Sequence, residues 1–269
     1  PDDPEAQELQ EEALERQNVP ERTADTPRRK GQRTEESRAD APEGASGPLT
    51  QEEFEREARL GMEDFERNAV RDAYGRFEQL LARIEAQPEG QQPGRGSAEH
   101  AITLHWLGSC LMRIGDLEGA EARLSDALEL YRVHGATREA AHALQDLGQI
   151  HLARGNALSA IACYEQSLLV MREIGDRWGE GFALGGLGNA YASLGEHQRA
   201  IELHEQRLAI VREIGDRQGE GASLSYLGNA YASLGEHQRA IDFYLQALAI
   251  ARELGDRGEE ARVSWSLGE

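Results

Sequence analysis

A chain of 269 residues with 29 basic against 49 acidic side chains carries a formal net charge of -20, and only 6% of it is aromatic. That balance argues against a protein that grips nucleic acid or an anionic bilayer through clustered Lys and Arg, and no run approaches the roughly 18 apolar residues of a membrane span, so a soluble chain is expected. Cys110 and Cys163 form neither a disulfide framework nor a metal knuckle, which points to a reducing, cytoplasmic compartment.

Residues 1–49 mix Pro, Gly, Ser and Thr with dense charge, and their only sizeable apolar residues are Leu9, Leu14, Val19 and Leu49. Such a segment buries too little surface to offset its ordering entropy, so we expect a disordered charged tail in which the run Arg28, Arg29, Lys30 and Arg33 is solvated. At Thr50 the pattern changes. Thr50 and Glu53 have the spacing of a capping box, with Leu49 poised to staple onto Phe54. Apolar residues then recur at Phe54, Ala58, Met62, Phe65, Ala69, Ala73, Phe77, Leu80, Leu81 and Ile84, in steps of three and four that predict an amphipathic helical segment over 50–87. Gly61 and Gly75 mark where it would bend or break. The stripe needs a partner, and we expect it to cap the apolar end of the chain beyond residue 98 rather than lie in a groove as a built-in ligand. Residues 88–97 read as a flexible linker.

From residue 98 the chain repeats itself. Leu-Gly stands at 107–108, 147–148, 187–188, 227–228 and 267–268, a period of 40, and LGNAYASLGEHQRAI at 187–201 recurs letter for letter at 227–241. Each unit predicts two helices. In the fourth, Asp216 caps a helix running to about Leu234, Gly235 turns the chain, a second helix runs from His237 to Leu254, Gly255 ends it, and Asp256 with Glu259 begins the next as a second capping box. Gly228 and Ala240 lack bulk where the two helices cross, and Tyr231 and Tyr244 fill the space between pairs. One pair cannot bury its own stripe, so an all-α solenoid of stacked pairs is expected over 98–269, with four units and the start of a fifth.

The residues Leu227, Gly228, Tyr231, Ala240, Tyr244 and Ala247 follow the order Leu-Gly-x-x-Tyr, Ala, aromatic, Ala and resemble the tetratricopeptide repeat. The unit at Leu187 departs from that order with His204 and Arg207, the one at Leu147 with His151 and Ser167, and the first, at Leu107, with Leu111 and Leu124. The 40-residue period is similar to the subclass of Pins-type adaptors, kinesin light chains and bacterial regulators. The basic residues, all Arg but Lys30, fit a bacterial member. The resemblance implies a scaffold or sensor module that binds a peptide or partner helix in a concave groove. Two other roles are compatible with it: the regulatory arm of a larger NTPase or caspase-like protease, and a structural element that self-associates through its open C-terminal repeat. We read the chain, from Pro1 to Glu269, as a piece of a longer polypeptide.

No phosphate-binding loop, zinc-protease or nucleophile-elbow motif occurs, so no catalytic residue, metal site or cofactor is expected in this chain, nor a nucleic-acid or membrane partner. His197 and His237 occupy the same turn, and Asp176, Asp216 and Asp256 are explained as caps. What remains is the face of the first helices. Counting from each Leu-Gly pair places Gln145, Ser225 and Trp265 in one register there, Ser109, Gln149, Asn189 and Asn229 in a second, and Ser193 and Ser233 in a third. Asn189 and Asn229 each offer a donor and an acceptor, a ladder suited to an extended backbone, and the resemblance to Pins-type adaptors implies the same use. Arg177, Arg217 and Arg257 are expected to read ligand charge at the rim.

Overall fold

The structure, a computed structural model, describes residues 47–88 and 90–267; the charged tail expected over 1–49 lies outside them up to Ser46. Eleven helices occupy the described residues, with no strand among them. They are α1 (Gln51–Glu66), α2 (Val70–Glu85), α3 (Ala98–Ile114), α4 (Leu117–His134), α5 (Thr137–Ala153), α6 (Ala157–Glu173), α7 (Arg177–Ser193), α8 (His197–Ile214), α9 (Arg217–Ser233), α10 (His237–Leu254) and α11 (Arg257–Leu267). The odd-numbered helices are here called A helices and the even-numbered ones B. Each A packs on its own B, each B packs on the next A, and from α1 to α9 each A touches the next A, which is the connectivity of a solenoid.

The caps follow the chain's short polar signals. Asp116, Asp176 and Asp216 accept from the backbone N–H of Gly119, Gly179 and Gly219 at 2.9, 2.9 and 2.8 Å. Asp256 caps in the same way, accepting from Glu259 N at 3.0 Å. The reciprocal half of the expected box is missing there, because the Glu259 carboxylate is taken by Ser225 and Arg262. Between the helices of a pair the chain reverses at Gly155, Gly195 and Gly235 (φ +76, +80 and +78), a conformation that a Cβ would strain.

Within each pair the helices meet at glycine. A Cβ on Gly108, Gly148, Gly188 or Gly228 would stand 2.6, 2.8, 2.6 or 2.5 Å from Leu124, Tyr164, His204 or Tyr244, in each case the side chain sixteen residues ahead. The Tyr164 ring also fills the space left by Gly186 in the next A helix. One unit later Tyr226 stands where Gly186 does, and the slot below it holds the smaller His204, whose ring stacks on Tyr226 at 5.0 Å and 10°. Large sits over small in each case, so the unit's departures from the repeat pattern compensate one another.

Segment 50–87 obeys the same rule. Thr50 and Glu53 form the expected capping box. The helix then breaks at neither glycine but at Arg67–Ala69, where Asn68 takes φ 65. Gly61 is instead a crossing point, since its Cβ would lie 2.7 Å from the Phe77 ring, again sixteen residues on. Ala73 matches Ala120, Ala160, Ala200 and Ala240, and Asn68 matches the turn glycine Gly195 in register. The α1–α2 pair is therefore a further unit of the solenoid, placed ahead of the four read from the period. It escapes that period because Gly61 precedes Gly108 by 47 residues instead of 40. The insertion falls in segment 88–97. There Pro93 and Ser97 are buried, Gly96 N–H donates to His100 Nδ1 at 3.0 Å, and His134 Nε2 meets the Gly96 carbonyl at 2.6 Å. Trp106 on α3 seats the pair, stacked on Phe77 (5.8 Å, 6°) and edge-on to Phe65 (5.4 Å, 74°).

Candidate functional site

The A helices carry a basin of about 600 Å³ running from α1 to α7, bordered by Phe65, Trp106, His142, Trp178 and Phe182. Trp178 is 56% exposed, stacks on Phe182 at 5.7 Å and faces His142 at 6.4 Å. An exposed Trp fixed by aromatic neighbours is a contact surface held ready at little entropic cost. A second cavity of about 350 Å³ continues the first toward α9 and shares Gln149 and Phe182 with it.

Polar groups line the floor. His105 Nε2 meets Asp146 Oδ2 at 3.0 Å and its Nδ1 meets the Tyr131 hydroxyl at 3.3 Å, while Ser109 Oγ donates to the His105 carbonyl at 3.1 Å. A serine, a histidine and an aspartate thus converge. Both ring nitrogens are already engaged and the hydroxyl points at a carbonyl, so His105 is not placed to take the Ser109 proton as a nucleophilic site requires. Burial pushes the Cys110 thiol up to about 11, and that of Cys163 upward as well, far from thiolate chemistry. Among the described residues no group of three or more His, Cys, Asp or Glu could hold a metal ion. No described helix is long and apolar enough to cross a membrane.

The residues singled out from sequence divide into three groups. Gln149 and Asn189 border the cavities, half-buried, and make no side-chain hydrogen bond among the described residues. Ser109 lies beside them on the basin floor. Asn229 is exposed, but its Oδ1 accepts from the Tyr244 hydroxyl at 2.7 Å. The ladder is therefore uneven, because the slot opposite Asn189 holds His204 and offers no hydroxyl.

The second group is engaged by the following A helix, although Gln145 also lines the basin. Gln145 is 2% exposed and donates to the Gly179 carbonyl at 2.9 Å; Ser225 is fully buried and donates to Glu259 at 2.7 Å. Trp265, in the same register on α11, is 85% exposed. Ser193 and Ser233 are exposed near the A-helix ends, and their hydroxyls return to the carbonyls of Ala190 and Asn229.

The rim arginines form the third group. Arg177 binds Glu180 and Glu213, and Arg217 binds Glu220 and Glu253. Arg172 and Arg212 close the same clusters on Glu180 and Glu220 at 2.9 and 2.8 Å. Arg177 and Arg217 hold the Glu213 and Glu253 carboxyls below their usual range. Their charge is taken up in tying each A helix to its own B helix, while Arg172 and Arg212 join one unit to the next. Arg257 is exposed and makes no ion pair among the described residues.

The family model described as tetratricopeptide repeat matches residues 99–173, 141–213 and 180–253, more than half of the chain. The chain belongs to the tetratricopeptide repeat family. No curated protein matches it in sequence. Among solved structures, BtubC (BKLC) from P. vanneervenii is similar with a TM-score of 0.65 and 18% identity, over 76% of this chain and 82% of that one. A putative kinesin light chain of Podosopora anserina with nearly identical TPR-like repeats gives 0.59 and 20%, over 76% and 97%. A Rap protein complexed with Competence and Sporulation Factor gives 0.67 and 18%, over 80% of this chain and 58% of that one. At identities this low the structural likeness shows the fold alone. The family matches begin at residue 99, so the α1–α2 unit lies ahead of them.

Groove residues that sequence reasoning missed are the aromatics Phe65, Trp106, Trp178 and Phe182. Their signal was present at Trp178 and Phe182, where the next unit has Gln218 and Ala222 in the same registers.

Proposed function

We propose that this chain is a protein-interaction module that holds a peptide or a partner helix along its A helices, as the scaffold or sensor arm of a larger protein. The observation that supports it most is the aromatic basin around Trp178, open to solvent and continuous with the cavity beside Asn189. A surface of that size with apolar walls and unengaged amides suits an extended ligand, whose side chains enter the basin while its backbone meets Gln149 and Asn189. In this reading the module spans the helix pair at 50–87, the connection at 88–97 and the repeats beyond, with residues 1–49 as a tail and the cytoplasm as its compartment.

The test begins with 12-residue peptides selected from a random displayed library against the 269-residue chain. Trp178→Ala should weaken the selected peptides at least about tenfold, the scale of one lost aromatic anchor. Trp265→Ala, outside the basin, should leave them unchanged. Equal binding to wild type and Trp178→Ala would place the ligand elsewhere.

A further inference from the structure

Away from the basin, one joint between units breaks a rule that the later joints keep. Arg172, Arg212 and Arg252 each stand near the end of a B helix and pair with Glu180, Glu220 and Glu260 of the next A helix, at 2.9, 2.8 and 2.8 Å. At the joint of α4 with α5 the arginine is kept, as Arg132, but Ala140 stands in the place of the glutamate. Thr137 likewise replaces Arg177 and Arg217, which close two of the later clusters. Arg132 is exposed and makes no ion pair or side-chain hydrogen bond among the described residues.

The missing side chains leave a cleft of about 390 Å³ between α4 and α6, over the start of α5. Ala140, Ala141 and Leu144 form one wall and Gln166, Leu169 and Val170 the other, with Arg132 bordering both. The buried Tyr131 ring separates the cleft from the A-helix basin, which it also borders. Lost charge comes with added apolar surface here, because Leu169 is 61% exposed where the next two units have Ala209 and Ala249. An exposed leucine, aliphatic walls and a cation without a counter-charge thus meet in one place. Glu173 has lost its arginine at position 137 as well, but it does not border the cleft.

We propose that this cleft docks an amphipathic helix of a protein partner, which sets a Leu or Ile between the walls and an Asp or Glu against Arg132. The chain itself carries the template, since Glu180 and Glu220 answer the same arginine from within at the later joints. A groove between two rows of side chains at helical spacing receives the side chains of a third helix, and the planar guanidinium at its border binds a carboxylate through two parallel N–H bonds. Because the chain carries a net charge of -20, the acid it accepts is a single carboxylate among neutral neighbours; an acidic run would be repelled. The docking site is separate from the aromatic basin and does not depend on it.

The probe is a displayed library of alanine-based helices, about 16 residues long and randomised on one face, selected against the full chain carrying Trp178→Ala so that the basin is disabled. Fluorescence polarisation of labelled copies of the selected helices then compares that chain with one that also carries Thr137→Arg and Ala140→Glu. This pair copies the joint at 177 and 180, so it rebuilds the cluster inside the cleft and should hold or raise the melting temperature. The selected helices should present Asp or Glu three or four positions from Leu or Ile, and should bind the filled cleft at least about tenfold more weakly. In Arg132→Gln, a selected helix and its copy with the acid changed to the amide should bind within about twofold of each other. Selected helices without an acid, an affinity that the filled cleft leaves unchanged, or no selected helix at all overturns the proposal. A dimer of the unmodified chain that the filled cleft abolishes, read by light scattering, would make a second copy the occupant and overturn it too.

Discussion

His204 shows how one side chain sets a property of the whole fold. It is 1% exposed between Gly188 and Tyr226, its Nδ1 has no hydrogen-bond partner, and burial together with the nearby Arg207 guanidinium pulls its pKa down to about 3. In the unfolded chain the same imidazole takes up a proton near its ordinary value of about 6.5. Between the two values the unfolded state binds the extra proton, so stability present above about pH 6.5 is lost as the pH falls toward 3, by up to about 1.4 kcal/mol per pH unit. His204→Leu, which copies Leu124 in the same slot, should flatten the melting temperature between pH 6.5 and 4.5 relative to wild type. A steep acid loss that persists in the variant would assign it to other groups. Tyrosine is the wrong replacement here, although it fills the slot at 164 and 244, because the space that Gly186 leaves for Tyr164 is taken by Tyr226.

At the scale of the helix, the sequence was legible where a period or a cap carried the information. The 40-residue spacing marks the pairs from α3 to α10, Asp176, Asp216 and Asp256 mark the starts of α7, α9 and α11, and Thr50 marks the start of α1. Two things were not. The α1–α2 reversal rests on Asn68, which reaches φ 65 without glycine, and it lies behind a seven-residue change of spacing that breaks the register. The groove contacts were hidden for another reason: a register on a helix says which way a side chain leaves the axis, but not what the neighbouring helix has already claimed. Gln145 and Ser225 are engaged by the next unit, and Arg177 and Arg217 by the B helix of their own unit. The two glycines expected to weaken segment 50–87 now separate by role. Gly61→Ala should destabilise by about 1 to 3 kcal/mol, since its Cβ would strike the Phe77 ring. Gly75→Ala meets nothing within 4 Å and should stabilise by up to about 1 kcal/mol. Chemical denaturation of the two variants checks this; equal effects would mean that Gly61 is not a crossing point.

Over the whole molecule, the question is whether the first unit belongs to the stack or is only appended to it. A solenoid gains stability by adding nearest-neighbour interfaces, so each unit both depends on the next and supports it. The α1–α2 pair shares one apolar cluster with α3 to α5, reaching from Leu49 and Phe54 through Phe77 and Ile84 to Leu147 and Ile150. Trp106 is the joint, between Phe77 and Phe65, while Arg113 lies over the Phe65 ring at 4.6 Å and donates to Asn68 Oδ1 at 2.5 Å. Phe77→Ala removes the ring that fills the Gly61 crossing and stacks on Trp106, a loss of about 3 to 5 kcal/mol if the pair is integral. With Trp178→Phe and Trp265→Phe as background, Trp106 is the one tryptophan left to report. Its emission should shift to the red in Phe77→Ala, and the melting temperature of the whole repeat array should fall with it. An array that melts unchanged while Trp106 alone reddens would mean that the first unit unfolds by itself and supports nothing. Unchanged emission would mean that Phe77 and Trp106 are not in contact. The linked loss of both is the expected result, because the apolar face that α3 turns toward α2 has no other cover among the described residues.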